Sequence, residues 1–311
     1  MATKIISKII SILPKTEDKI VIVIQFLLLG ILLVIMEINN IPQGWDILGL
    51  LLLVATVWHQ RGRKFIIAFL PFFLLIYTYV IFFSYNHQLV HERIHIQDLI
   101  HWEQKLFFGY LPTNLLQQWL PVDKWYGHLA QAVSNGLYLS HFIIPLFVIL
   151  YLWNFYRIKY WIFMIGFMIA NYISFIGWAL FPAAPPWWAT YYHYLSGDMA
   201  VINLTNMSTD FLLNIPNPIA AMPSLHAVYP IYITLFALNL WGKKALPIVL
   251  YPLSIGFAIV YLGHHYVIDF IAGGLVALCA YLFIIILFNY KDKLVFLVTK
   301  TTSSMTLKSI K

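Results

Sequence analysis

The sequence predicts an all-α polytopic membrane protein with about eight transmembrane helices, and three observations carry that prediction. Of 311 residues, 61% are hydrophobic and only 10% charged, with a mean hydropathy of +0.80; water-soluble domains do not reach this balance. The apolar residues fall in runs of about 20, the length a helix needs to cross the hydrocarbon core of a bilayer. The cations are lopsided. With eight spans, all of the 19 lysines and arginines except Arg93, Lys105 and Lys124 fall on one side, as the positive-inside rule requires of a correct span count.

Taken in order, the basic stretch from Met1 to Lys19 leads into a run at 20–37 that lacks a small-residue cleavage signature. It therefore reads as an uncleaved first span. Further runs at 41–58 and 65–84 complete an N-terminal group of transmembrane helices, residues 1–84. Residues 85–132 are of mixed polarity and read as an outer-face interfacial segment. His87, His91 and His95 recur there every fourth residue, with His101 beyond, a spacing that could hold a metal on a helix. The interleaved Val90, Ile94, Ile96, Leu99, Ile100 and Trp102 describe instead an amphipathic helix on the membrane surface. That reading is preferred, and no metal site is expected. Spans at 133–153, 160–181, 224–240, 245–263 and 265–289 make residues 133–290 a transmembrane core, which holds the histidine signatures described below and is therefore the expected catalytic part. A Pro- and Trp-rich loop, 182–223, joins the second of these to the third, and residues 291–311 form a basic cytoplasmic tail. Trp119, Trp125, Trp178, Trp187 and Trp188 read mainly as an interfacial aromatic belt, with Trp187 also a candidate wall of a lipid entry. The single cysteine, Cys279, excludes an intrachain disulfide.

The charge asymmetry places both termini in the cytoplasm and the 182–223 loop outside. The net charge of +7 then lines the cytoplasmic face, where it suits anionic lipid headgroups rather than nucleic acid.

Two histidine signatures carry the chemistry: Pro223-Ser224-Leu225-His226, and His265 four residues before Asp269. Ionisable groups near membrane depth are costly and suggest function by default. Spacing of four puts imidazole and carboxylate on one helix face. An aspartate accepting from one ring nitrogen fixes the tautomer and leaves the other nitrogen to attack or to move a proton. Pro223 and Ser224 read as a helix start, where unpaired amides can hold a phosphate. A nucleophile with its orienter, an anion cradle and a second histidine as acid/base make up a phosphoryl-transfer site. Both signatures fall at outer ends of spans. His264 is read as an interfacial or supporting residue, and His141, inside a span, as either a packing residue or part of the site's wall.

Pro223-Ser224-Leu225-His226-Ala227 and Tyr261-Leu262-Gly263-His264-His265-Tyr266-Val267-Ile268-Asp269 resemble the motifs of the type-2 phosphatidic acid phosphatase superfamily. Within it, Phe181-Pro182-Ala183-Ala184-Pro185-Pro186-Trp187-Trp188, Leu106-Phe107-Phe108-Gly109 and Tyr138-x-x-His141-Phe142 resemble the branch containing inositol phosphorylceramide synthase. The resemblance covers about 90–290. It implies that six of the eight helices form the core, and that a phosphohistidine mechanism runs without metal or other cofactor. His265 would be the nucleophile, Asp269 its orienter, and His226 the acid that becomes a base. The superfamily's Lys-x6-Arg-Pro element is absent, since Lys105 is followed seven places on by Pro112. Its Ser-Arg pair is replaced by Ala258-Ile259. Positioned donors must still meet the transferred phosphoryl group, so the expected phosphate-binding set is Ser224 with Arg93 or Lys105. The competing reading makes both cations solvated surface charges.

The leading functional expectation is an inositolphosphotransferase-like enzyme moving a phosphoryl-linked headgroup between lipid and acceptor. The alternative is a hydrolase of a lipid phosphomonoester or isoprenyl diphosphate using the same residues. A transporter would scatter polar residues through mid-membrane and show an internal repeat; the sequence has neither.

Overall fold

The computed structural model describes residues 68–79, 81–82, 94–195 and 219–308, with side chains described up to residue 288 apart from Phe142. The chain divides into two compact units, 1–89 and 90–311. In the first, the described part is an apolar helix, Ala68–Tyr79. The expected spans at 20–37 and 41–58 lie outside the described residues. The second unit holds every candidate site residue, of which Arg93 is outside the described residues.

That second unit is helical throughout, with no strand among the described residues. Its elements are α1 (Gln97–Leu106), α2 (Pro112–Trp119), α3 (Trp125–Phe155), α4 (Arg157–Leu180), α5 (Pro186–Tyr191), α6 (Leu225–Trp241), a 3₁₀ helix (Gly242–Val249), α7 (Leu250–Tyr261) and α8 (Val267–Lys308). Among the described residues, three segments are long and apolar enough to cross a membrane: Arg157–Leu180, Leu225–Tyr261 and Val267–Phe288. A fourth is the bent pair Trp125–His141 and Ile143–Phe155. The middle segment is no single rod. Its end carries the turn to His265, whose ring meets that of His226 at its start; a straight helix of 37 residues would part those ends by about 55 Å. The chain instead folds back through the 3₁₀ helix so that α7 packs on α6.

Local chemistry explains the irregularities. Proline cannot donate to the carbonyl four residues back. Pro145 therefore releases the His141 carbonyl, and the 43° bend of α3 falls between His141 and Ile143. Pro112 and Pro186 start α2 and α5, where the missing N–H has no helical partner to lose. Two boundaries differ from expectation. Helix α3 begins at Trp125 rather than near 133, and α8 runs on to Lys308 through the predicted tail. Lys-rich sequence supports helix as readily as a solvated end.

α6 packs along α8, and α4, α3 and α7 pack around them. One end of this bundle is closed by α1, α2, α5 and the segment between α4 and α5. There, Ala183 bridges His95 on one side and Ala220 on the other. Backbone bonds run from His95 N–H to the Pro182 carbonyl (2.8 Å) and from Ala183 N–H to the Ile219 carbonyl (2.9 Å). Leu99, Ile100, Leu111, Ala183, Ala189, Ala221 and Tyr266 form the buried cluster beneath.

Candidate active site

The closed end of the bundle positions the first signature through its neighbours. The indole of Trp178 donates to the Pro223 carbonyl at 2.9 Å. Ser224 caps α6, and its N–H donates to the Asp269 carbonyl at 3.2 Å. One backbone bond thus ties the start of α6 to the first turn of α8. The approach is close because residue 273 is glycine: a Cβ there would meet the Ser224 carbonyl oxygen at 2.4 Å.

The second signature lies in a turn. Gly263 takes φ +73°, which only glycine adopts without cost, and its carbonyl accepts from the Trp187 N–H at 3.0 Å. The amides of His264 and His265 both donate to the Ile259 carbonyl, at 2.9 and 3.2 Å. His265 therefore precedes α8 by two residues and does not share a helix face with Asp269, as the spacing of four suggested. The pair still meets, because Asp269 in the first turn of α8 reaches back toward the turn.

His265 Nδ1 lies 3.4 Å from Asp269 Oδ2, and His265 Nε2 lies 3.2 Å from His226 Nδ1. The first contact is longer than a tight hydrogen bond, as catalytic contacts often are before substrate binds. Asp269 is fully buried and His265 is 6% exposed. Asp269 Oδ2 also accepts from the Tyr266 N–H at 2.9 Å. Among the described residues, Asp269 Oδ1 and the buried Ser224 Oγ have no hydrogen-bond partner. An unpaired buried oxygen carries a desolvation cost of about 1–3 kcal/mol.

Helix α3 supplies the wall. Tyr138 stacks on the rings of His226 (4.4 Å) and His264 (4.8 Å), and His141 packs on His226 (4.1 Å) and Tyr229 (4.6 Å). Tyr229 in turn donates to Asn171 Oδ1 at 2.6 Å. His141 is thus in the wall, buried, and packs as well. His264 is buried rather than interfacial. Burial, and secondarily the charge of His265, lower its pKa to about 3, so it is neutral at physiological pH.

The remaining expected residues divide. Trp119 and Trp125 are exposed, as a belt requires, but Trp178 and Trp187 are buried. Each makes a bond that fixes a histidine segment, which corrects the belt assignment for both. Lys105 is exposed on the last turn of α1. Of the histidine series, His87 and His91 lie outside the described residues. His95 precedes α1, bonding Asp98 at 2.6 Å and stacking on Phe181 at 3.8 Å. Among the described residues, no group of three or more His, Cys, Asp or Glu is arranged to hold a metal.

Sequence reasoning passed over Glu103. It is fully buried on α1 and accepts from the N–H groups of Val267 (2.9 Å) and Ile268 (3.2 Å). Burial raises its pKa to about 7, against the lowering effect of those two bonds. The missed signal was its place one turn from Leu99 on the apolar face of α1.

An all-α bundle of apolar helices with a His–His–Asp constellation at one end, its His265 and Asp269 buried and its His226 half-buried, is the architecture of an integral membrane enzyme. Residues 97–283 match the PAP2 superfamily. The chain is also 30% identical over 241 residues to phosphoinositol dihydroceramide synthase of Bacteroides thetaiotaomicron, covering 71% of this chain and 77% of that protein. The chain belongs to the type-2 phosphatidic acid phosphatase superfamily and is an enzyme of it. No solved structure matches.

Proposed function

We propose that the protein is a lipid phosphotransferase that works through a phosphohistidine on His265 and moves an inositol-phosphate-like headgroup from a donor lipid to an acceptor hydroxyl. The observation that carries this reading is the split environment of the His265 ring, with Nδ1 toward Asp269 and Nε2 toward His226. In the first half-reaction Nε2 attacks phosphorus, the N–P bond forms and the P–O bond to the donor's glyceride breaks. His226, through Nδ1, gives its proton to the departing oxygen. In the second, the acceptor hydroxyl loses its proton to His226 as its oxygen attacks phosphorus, and the N–P bond breaks. Asp269 keeps the tautomer and stabilises the positive ring. Tyr138 and His141 hold the plane of His226 between them.

The transferred group meets Ser224 Oγ in this scheme, together with a cation from the segment before or within α1, Arg93 or Lys105. An apolar cavity of about 350 Å³ between α2, α7 and α8 is lined by Leu116, Trp119, Val260, Val267 and Phe270 among others. It suits a lipid chain beside the helix that carries Asp269. The similarity to a phosphoinositol dihydroceramide synthase supports the choice of an inositol-phosphate headgroup.

The test is to trap the covalent intermediate from a panel of labelled lipids. Label on His265 from a phosphatidylinositol-type donor, discharged by a ceramide or other lipid alcohol, is the expected result. Phosphate release from phosphatidate or an isoprenyl diphosphate, without transfer to any alcohol, would make the enzyme a hydrolase instead.

A further inference from the structure

α8 begins at Val267, so the amides of Val267, Ile268 and Asp269 have no helical acceptor. A carboxylate in the first turn of a helix commonly bonds such amides itself. Asp269 sits in that first turn and already accepts from Tyr266 N–H at 2.9 Å. The Val267 and Ile268 amides are taken by Glu103, from a helix 164 residues earlier, which accepts from both, one on each oxygen, at 2.9 and 3.2 Å. Glu103 has no exposed surface, and α1 packs on α8 to bring it there. A buried carboxylate is costly unless such bonds compensate it.

We propose that Glu103 is a positioning residue for the His265–Asp269 pair: by taking the Val267 and Ile268 amides it leaves the Asp269 carboxylate to orient His265. The proposal rests on the reading of His265 as nucleophile, and its strongest support is that both oxygens of one buried side chain are committed to two successive amides.

Glu103→Gln keeps size and one acceptor but replaces the other with an N–H₂ facing a donor. In the full-length protein in detergent, amide exchange at 267–268 should quicken, and kcat should fall by at least about tenfold with KM within about twofold. Leu99→Ala is the control: it weakens the packing of α1 without touching these bonds, lowering Tm while the folded fraction keeps its kcat. If Glu103→Gln does not accumulate, Glu103→Asp serves, with its carboxylate at shorter reach and kcat lowered less. Unchanged exchange, or kcat within about twofold of the parent while His265→Ala is inactive, overturns the proposal and leaves the phosphohistidine reading standing. Activity that survives in His265→Ala overturns both.

Discussion

Each nitrogen of the His265 ring has a different neighbour, and in the proposed mechanism that difference makes the ring a directed nucleophile rather than a buried base. Removing the ring removes the attacking atom, so His265→Ala should lose both turnover and covalent labelling, a fall in rate of about 10³ or more. Asp269→Asn keeps the shape but weakens orientation and removes a charge. It should slow the reaction strongly yet still leave labelled protein detectable in a quenched single-turnover assay; labelling as fast as in the parent would sink the orienting role. Lys105 and Arg93 pose a separate question at this scale. A cation that clamps the transferring phosphate contributes about 2–4 kcal/mol to transition-state binding. Alanine at each, assayed separately against the parent, should show such a loss at one of them. Activity within about twofold for both would assign the phosphate to Ser224 and neutral donors.

Helices α6 and α8 matter as a pair, because the two histidine signatures meet at their starts. Gly273 sets that spacing. Gly273→Ala would place a methyl 2.4 Å from the Ser224 carbonyl oxygen, so the two helices must part by several tenths of an ångström or more. Small misplacements of reacting groups cost up to about 10²-fold. The variant should therefore lose about tenfold or more in kcat while its helical circular dichroism is kept. Helix α1 contributes the pH dependence. Glu103 is raised by burial from its ordinary 4.5 to about 7, with Asp269 opposing its ionisation as well. Between those values the folded protein binds more proton than the unfolded chain, so this stabilisation is complete below about pH 4.5 and is lost as pH rises to about 7. The effect is worth at most about 3 kcal/mol. Melting curves of the parent and Glu103→Gln across that range should diverge, with the parent's Tm falling relative to the variant's. Parallel curves would show that Glu103 does not titrate there.

For the whole molecule, the distribution of cations predicts sidedness. In a Cys279→Ser background, a cysteine at Tyr192 should react with an impermeant reagent applied to intact cells, and one at Lys243 should not. The reverse pattern would place the active site on the cytoplasmic face.

Composition and hydropathy run length determined the membrane class, because the cost of exposing backbone and side chains to hydrocarbon leaves a chain this apolar few alternatives. The residue types at 226, 265 and 269 were equally legible, since ionisable groups in apolar sequence stand out one at a time. What only the tertiary structure decided is how they meet. The spacing of His265 and Asp269 pointed to a shared helix face, whereas the pair forms across a turn pinned by Gly263, Trp187 and Ile259. Trp178 looked like a belt residue until its indole was seen on the Pro223 carbonyl. Glu103 was hidden for the same reason. A carboxylate in a mixed-polarity segment looks solvated in sequence, and its role appears only when folding brings it against amides 164 residues away.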